Sequence, residues 1–275
     1  MVSIVLPTYN REAWLGCAID SVIRQSFRDW ELVIVDDGST DQSADVVRGL
    51  ADSRLTYVRT DHAGVSKARN LGVSLTHFPW ICFLDSDDQW EPSKLQRQFE
   101  ALEEYPEFRI AFTNETWIRR GKRVNQRRKP RKYGGWIYHR CLPLCIISPS
   151  SVMLHRELLD KEGLFDESFP VCEDYELWLR ISARNPVLFL DEPLIIKFGG
   201  HDDQLSRSTW GFDVYRVQAL IKVLRAGKLT PAQKIITRRE LVTKARILVS
   251  GFRKRGNRSE SETYEALIRT WALNP

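Results

Sequence analysis

The sequence predicts an α/β protein with a Rossmann-like, mostly parallel central sheet flanked by helices, followed by a C-terminal helical appendage. Three observations lead there. Short β-branched runs alternate with segments of helical periodicity through the first half of the chain, polar residues gather where those runs end, and amphipathic helices with basic outer faces fill the C-terminal stretch.

Val2 to Leu6 reads as the first strand. Arg11 to Ser26 follows with Trp14, Leu15, Ala18, Ile19, Val22 and Ile23 at helical spacing, which makes one apolar stripe. Glu31 to Asp36 is a second strand, and Ser39, Thr40 and Asp41 are good N-cap residues for a helix over 40–51. A strand at Leu55 to Arg59, a helix over 65–75 opened by Gly64, and a strand at Trp80 to Leu84 complete a βαβαβαβ pattern. Pro92 suits the first turn of a helix that Pro106 stops, and Ile110 to Thr113 is a further strand. The segment 115–145, rich in Arg, Gly and Pro, is expected as a β-hairpin or mobile loop outside the core. Extended chain over 146–154, a helix over 173–183, a short strand at Val187 to Leu190, and helices over 212–225 and 231–252 complete the pattern.

Composition narrows the function classes. A chain of 275 residues can bury a full core, and 43% hydrophobic with 28% charged residues excludes disordered, collagen-like and mucin-like proteins. The five scattered cysteines (Cys17, Cys82, Cys141, Cys145, Cys172) imply buried reduced thiols rather than a disulfide framework. Apolar runs fall far short of the roughly 20 residues that span a bilayer. The N-terminus shows no basic leader, so the expected compartment is the cytoplasm. The net charge of +5 is unevenly spread: ten Lys or Arg and no acid lie between Thr116 and Arg140, and fifteen basic against seven acidic residues lie from His201 onward. That excess suits a polyanionic partner (substrate phosphates, an acidic membrane surface or nucleic acid), and a solvated basic face accounts for it equally well.

Open parallel sheets bind ligands outside the carboxyl ends of their strands. Three such ends here carry unusual polar residues: Pro7-Thr8-Tyr9-Asn10, Asp36-Asp37-Gly38-Ser39 and Asp85-Ser86-Asp87-Asp88. The last places several carboxylates within one turn, as a hard divalent cation such as Mg²⁺ or Mn²⁺ requires of its oxygen ligands. Such a cation would bridge a donor diphosphate and neutralise charge on a leaving group. Asp36 and Asp37 can cap the following helix or accept the imide N–H of a uracil or the amine of another base, and two adjacent acids can divide these tasks. Lys67 and Arg69, at a helix start, suit phosphate oxygens. Glu173-Asp174 precedes an amphipathic helix, where an acid either caps the helix or acts as general base on an acceptor hydroxyl. His201, in a Gly-rich stretch, is placed to complete a metal site or contact phosphate. Neither a G-x-G-x-x-G nor a Walker lysine motif occurs, so neither a dinucleotide dehydrogenase nor a P-loop NTPase is supported.

In these segments the sequence resembles glycosyltransferase family 2, whose members share the GT-A fold. Ser3-Ile4-Val5-Leu6-Pro7-Thr8-Tyr9-Asn10, Val35-Asp36-Asp37-Gly38-Ser39-Thr40-Asp41, Gly64-Val65-Ser66-Lys67-Ala68-Arg69-Asn70 and Phe83-Leu84-Asp85-Ser86-Asp87-Asp88 match in order and spacing. So do Gly163-Leu164-Phe165-Asp166-Glu167 and Glu173-Asp174-Tyr175-Glu176-Leu177-Trp178-Leu179-Arg180. The resemblance implies an inverting, metal-dependent transfer of a sugar from a nucleoside diphosphate, UDP foremost, to an acceptor hydroxyl in glycan, polysaccharide or glycolipid biosynthesis. By position it implies that Pro7, Tyr9 and Asp37 line the nucleoside pocket with Thr8 beside them, and that Lys67 and Arg69 lie close by. Asp85 and Asp87 would form the D-x-D metal and ribose site, with Ser86 and Asp88 near the sugar, Asp174 as catalytic base, and His201 closing over the diphosphate as a further metal ligand. The processive Q-x-x-R-W motif has no match at Glu176 to Arg180, which implies single addition.

The expected organisation is therefore a GT-A domain over 1–205, divided into a nucleotide-sugar-binding half 1–114 and an acceptor and catalytic half 115–205, with a basic helical appendage over 206–275. The acceptor, a carbohydrate or lipid-linked glycan, is expected against 115–150 and the Pro149-Ser150-Ser151 stretch, where Trp117, Trp136 and Tyr138 offer aromatic faces. The tail helices are candidates for peripheral contact with the inner face of a membrane or for self-association. Two rival classes fit the sequence less well: a metal-dependent nucleotidyltransferase, which lacks its Gly-rich phosphate loop here, and a non-catalytic polyanion binder, which leaves the strand-end aspartates unexplained. For that reason nucleic acid is not an expected partner.

Overall fold

The computed structural model describes residues 1–124, 131–200 and 211–272. Strands β1 (Val2–Thr8), β2 (Trp30–Asp36), β3 (Leu55–Arg59) and β4 (Trp80–Phe83) alternate with helices α1 (Glu12–Ile23), α2 (Ser43–Arg48) and α3 (Val65–Ser74). They pair in parallel in the order β3-β2-β1-β4. Both faces of these strands are covered, as parallel sheets require: Ile4, Leu6 and Cys82 pack on the side of α1, while Val5, Ile81 and Phe83 join the core on the other side. Helix α3 approaches β1 so closely that a Cβ on Gly72 would lie 2.3 Å from a Val5 methyl. The second helix is shorter than the pattern over 40–51 suggested. Asp41 turns its carboxylate onto the backbone N–H groups of Ser43 and Glu12, each at 3.0 Å, and holds the preceding residues in a turn.

Beyond β4 the sheet changes character. β5 (Asp88–Trp90), α4 (Lys94–Glu104), β6 (Ile110–Arg119), β7 (Lys122–Val124), α5 (Tyr138–Cys141), a 3₁₀ turn (Pro149–Ser151), β8 (Val152–His155), α6 (Arg156–Glu162), α7 (Glu173–Ser182) and β9 (Leu188–Gly199) follow in sequence. The full order is β3-β2-β1-β4-β8-β6-β9-β5, with β7 paired to β6. β8 is antiparallel to both β4 and β6, and β9 runs parallel to β6 but antiparallel to β5. The register of β5 on β9 sets Asp88 directly opposite Lys197. Between Thr113 and Glu115 the β6–β9 ladder is interrupted twice, with Pro193 at the interruption, a position where proline costs no ladder bond.

Three expectations are corrected here. The segment 115–145 is not wholly outside the core: a β6–β7 hairpin forms, but Ile137, Tyr138, Cys141 and Leu142 are buried in the main core, and Tyr138 shares a 2.7 Å hydroxyl hydrogen bond with Thr237. The strand expected at 187–190 continues to Gly199 because β6 and β5 pair with its distal half. All five cysteines are outside disulfides, and Cys17 is exposed rather than buried.

The tail comprises α8 (Phe212–Arg225), α9 (Pro231–Lys254) and α10 (Arg258–Trp271). A capping box closes the start of α9, with Thr230 and Gln233 bonding each other's backbone N–H. Helix α8 is fused to the sheet domain: Ala219, Leu220, Val223 and Leu224 share the core with Tyr175, Trp178 and Phe165. Lys222 reaches Asp166 at 2.6 Å and the buried Glu176 at 2.8 Å. Val217, Ala245, Val249, Phe252 and Tyr264 build a smaller core among the three helices. Among the described residues no helix is long and apolar enough to cross a membrane.

Candidate active site

The loops after β1, β2 and β4 meet the starts of α3 and α7 around one open cavity of about 1010 Å³. Asp36 and Asp37 divide their tasks. Asp36 is fully buried and structural: Oδ1 accepts the Ser39 N–H at 2.7 Å and Oδ2 accepts the Tyr57 hydroxyl at 2.5 Å. Burial and that carboxylate push the Tyr57 hydroxyl up to about 12, so it stays a donor. Asp37 faces the cavity while Oδ1 accepts the Ala63 N–H at 2.8 Å and Oδ2 the Gly64 N–H at 2.9 Å. Gly38, at φ +82°, makes this closure possible, since a Cβ there would lie 2.8 Å from the His62 backbone nitrogen. Tyr9 stacks its ring on His62, with centroids 4.0 Å apart and planes inclined by 19°. Pro7 and Thr8 line the same wall, and the buried Thr8 Oγ1 has no partner among the described residues.

The opposite wall is acidic. Asp85, Ser86, Asp87 and Asp88 line it, with Glu173 and Asp174 from α7 beside them. Arg69, 4% exposed at its side chain, divides its fork between Asp85 Oδ1 (2.7 Å) and Glu173 Oε1 (2.6 Å). Its two outer nitrogens, expected at phosphate, are thus directed at carboxylates. Lys67 is exposed and lines no part of the cavity, and His201 lies outside the described residues. Asp88 is met by Lys197 Nζ at 2.5 Å and by the Ser150 hydroxyl at 2.6 Å. Lys197 also donates to Ser148 Oγ at 2.9 Å and stands 4.0 Å from Asp85. Asp174 Oδ1 accepts the Tyr175 N–H at 2.6 Å, and its Oδ2 accepts the Cys145 thiol at 3.3 Å. Burial raises its carboxyl above the ordinary range.

A second cavity of about 220 Å³ adjoins the first. Glu115, Trp117, Cys145 and Ser148 line it, and Asp85, Pro149, Asp174 and Lys197 line both cavities. Of the aromatics expected on the acceptor side, only Trp117 is there. Trp136 is 63% exposed elsewhere, and Tyr138 is in the core.

The donor set fits a hard divalent cation. Burial pushes Asp88 up to about 7 in spite of Lys197, with Asp87 and Asp85 adding to it, and burial pushes Glu173 to about 7 in spite of Arg69. This excess of buried negative charge is what an added cation relieves. Among the described residues no three His, Cys, Asp or Glu side chains are grouped to hold an ion. Asp85 and Asp87 are two carboxylates on one turn, which matches the mode in which one or two carboxylates and substrate phosphates share Mg²⁺.

Lys197, Ser148 and His62 went unmarked in the sequence, and Ser150, expected on the acceptor side, bonds Asp88 instead. Lys197 did leave a signal: it breaks the apolar run Leu194-Ile195-Ile196 inside a strand, and a buried lysine needs a partner.

A parallel sheet that turns antiparallel past β4, with carboxylates at the ends of its strands, defines the GT-A fold class. Comparison with solved structures agrees: S. aureus TarS 1-349 in complex with UDP-GlcNAc superposes with a TM-score of 0.70 at 17% identity, over 98% of this chain and 91% of that one. The Pyrobaculum calidifontis mannosyltransferase PcManGT, in complex with GDP-Man and Mn²⁺, gives 0.61 at 18% identity, over 98% and 84%. At such identities the likeness concerns the fold alone. The profile described as "Glycosyl transferase family 2" matches residues 3–162, and the chain belongs to that family. Among curated relatives, an uncharacterized glycosyltransferase of Rickettsia bellii is 31% identical over 67% of this chain, which spans only 26% of that protein's length. The Escherichia coli UDP-Glc:alpha-D-GlcNAc-diphosphoundecaprenol beta-1,3-glucosyltransferase WfgD is 33% identical over 68% of this chain and 72% of its own.

Proposed function

We propose that the chain transfers a sugar, with inversion, from a UDP-sugar to a hydroxyl of a lipid-linked glycan. One observation carries the reading: Asp174 belongs to the wall between the two cavities, the larger sized for a nucleotide-sugar and the smaller walled by an indole. The donor and acceptor classes follow the activity in WfgD's name.

In this reading the base stacks near Tyr9 and is read by Asp37. The diphosphate lies toward Asp85 and Asp87, which would hold Mg²⁺ or Mn²⁺. Bound there, the ion supplies neutralising charge to the departing diphosphate. Asp174 takes the proton from the acceptor hydroxyl as that oxygen attacks the anomeric carbon. Burial raises its proton affinity above that of an exposed carboxylate, which favours proton capture. Arg69 fixes the helix that carries the base, and Lys197 compensates Asp88 between donor and acceptor. Trp117 offers the acceptor sugar a flat apolar face. An outward stripe on α9 with Arg239, Arg246, Lys254 and the exposed Ile235 and Ile247 rests the enzyme on an anionic membrane, where a lipid-linked acceptor resides.

Transfer rates and UDP affinity of Asp174→Asn test the assignment. The expected result is a loss of kcat by roughly 10²–10⁴ with UDP affinity within twofold of wild type. Transfer within a few-fold of wild type would refute the base.

A further inference from the structure

We infer that His62 is a built-in occupant of the nucleobase subsite, which the donor's base must displace; the inference rests on the donor reading above. The imidazole makes both contacts that a planar imide-bearing base would make there. Its face lies on Tyr9 at a stacking distance of 4.0 Å. Its Nδ1 lies 2.8 Å from Asp37 Oδ2 and 3.1 Å from the Asp37 carbonyl oxygen. Both of those atoms are acceptors, so Nδ1 carries the hydrogen and donates, as an imide N–H does.

The two contacts cannot be shared. Asp37 Oδ2 already accepts the Gly64 N–H, and the imidazole Nδ1, 2.8 Å away, occupies the remaining approach to that oxygen. A base on the other face of Tyr9 would lie about 8 Å from the imidazole plane, twice the stacking distance, and out of hydrogen-bond reach of the oxygen that His62 contacts. Only by replacing the imidazole does a base gain the stack and the carboxylate together. Movement is open to the side chain: it is 55% exposed, against 5% for Asp37. The turn beneath it is held by the Ala63 and Gly64 N–H bonds to Asp37, not by the imidazole.

His62 therefore sets a threshold on which nucleotides enter. A ligand whose ring both stacks on Tyr9 and donates to Asp37 recovers what it displaces, and one that lacks the donor does not.

Calorimetric titration of UDP and of inorganic diphosphate into the full chain, His62→Ala and Tyr9→Ala tests this. His62→Ala is expected to bind UDP roughly three- to tenfold more tightly than wild type, and diphosphate equally. His62→Asn, which keeps an N–H donor but little aromatic face, should fall between the two. Unchanged or weaker UDP binding by His62→Ala overturns the inference, making the imidazole a bystander or part of the base platform. The donor reading fails separately, and this inference with it, if wild type binds no UDP or Tyr9→Ala binds it as well as wild type does.

Discussion

Asp85 and Glu173 are held by the two arms of one buried guanidinium, Arg69, at 2.7 and 2.6 Å. The end of β4, which presents the D-x-D carboxylates, is thereby tied to the first turn of α7, which presents Asp174. In the proposed scheme, donor binding and proton removal thus depend on a single side chain that itself reaches neither reacting atom.

Removing one member of a buried ion cluster leaves its partners charged and unpaired. Arg69→Ala should lower unfolding stability by about 3–5 kcal/mol, a Tm fall of roughly 10 °C for a chain of this size. Adding Glu173→Gln removes one stranded charge and should restore at least a third of the loss. Thermal unfolding of wild type, both single variants and the double variant measures the coupling. A double variant no more stable than Arg69→Ala would mean the fork is not energetically shared.

The proposed scheme, with Mg²⁺ or Mn²⁺ held by Asp85 and Asp87, predicts metal-dependent donor binding. UDP affinity should weaken at least tenfold when Mn²⁺ is chelated, and Asp87→Ala should abolish the difference between metal and chelator. Titration of UDP under the four conditions is sufficient. Equal affinity in wild type with and without Mn²⁺ counts against the ligand assignment.

Trp117 separates acceptor from donor effects. Trp117→Ala should raise the acceptor KM by about tenfold, the worth of one aromatic face, while the donor KM stays within twofold. A change confined to the donor KM would place the acceptor elsewhere.

Acid should loosen the joint between α8 and the sheet domain. Burial works to raise the Asp166 carboxyl, but the Lys222 and Ser168 hydrogen bonds outweigh it and lower the group from its ordinary 3.8 to about 2. A carboxyl whose folded value lies below its unfolded one stabilises the fold above the unfolded value, and that stability is lost as pH falls from 3.8 toward 2. Lys222 is 40% exposed, so screening holds the contribution to about 1 kcal/mol. Asp166→Asn should cost that much at pH 7 and progressively less below pH 4 in denaturant melts. A difference that persists undiminished at pH 2 would locate the effect in packing instead.

The stripe on α9 predicts salt-sensitive sedimentation with vesicles rich in anionic lipid. Arg239→Glu with Arg246→Glu should reduce it severalfold without changing UDP affinity. Retention by neutral vesicles to the same extent would contradict an electrostatic contact.

The parallel half of the sheet was legible because its strands are short and apolar and β1, β2 and β3 are each followed by a helix, so local pattern and pairing agree. What the sequence concealed depends on distant pairing. β5 is three residues long and exists because β9 lies beside it. Tyr138 looked like a loop aromatic until Thr237 on α9 covered it. The same holds in the site: Asp85, Asp87 and Asp174 stand out by type and position, whereas Lys197 and Ser150 matter through the carboxylate they meet. Arg69 was visible as a cation, but its partners were not.

The Asp88–Lys197 pair is fixed by strand register, and that register depends on how many residues β9 accommodates between Leu190 and Ile195 where its ladder with β6 is broken. A strand shifted by one residue turns its side chains to the opposite face. A single deletion among Asp191, Glu192 and Pro193 would therefore carry Lys197 away from Asp88 while leaving every site residue unchanged. Homologues aligned without attention to spacing there would be credited with a lysine they cannot use, so chain length across this short segment is itself a functional trait.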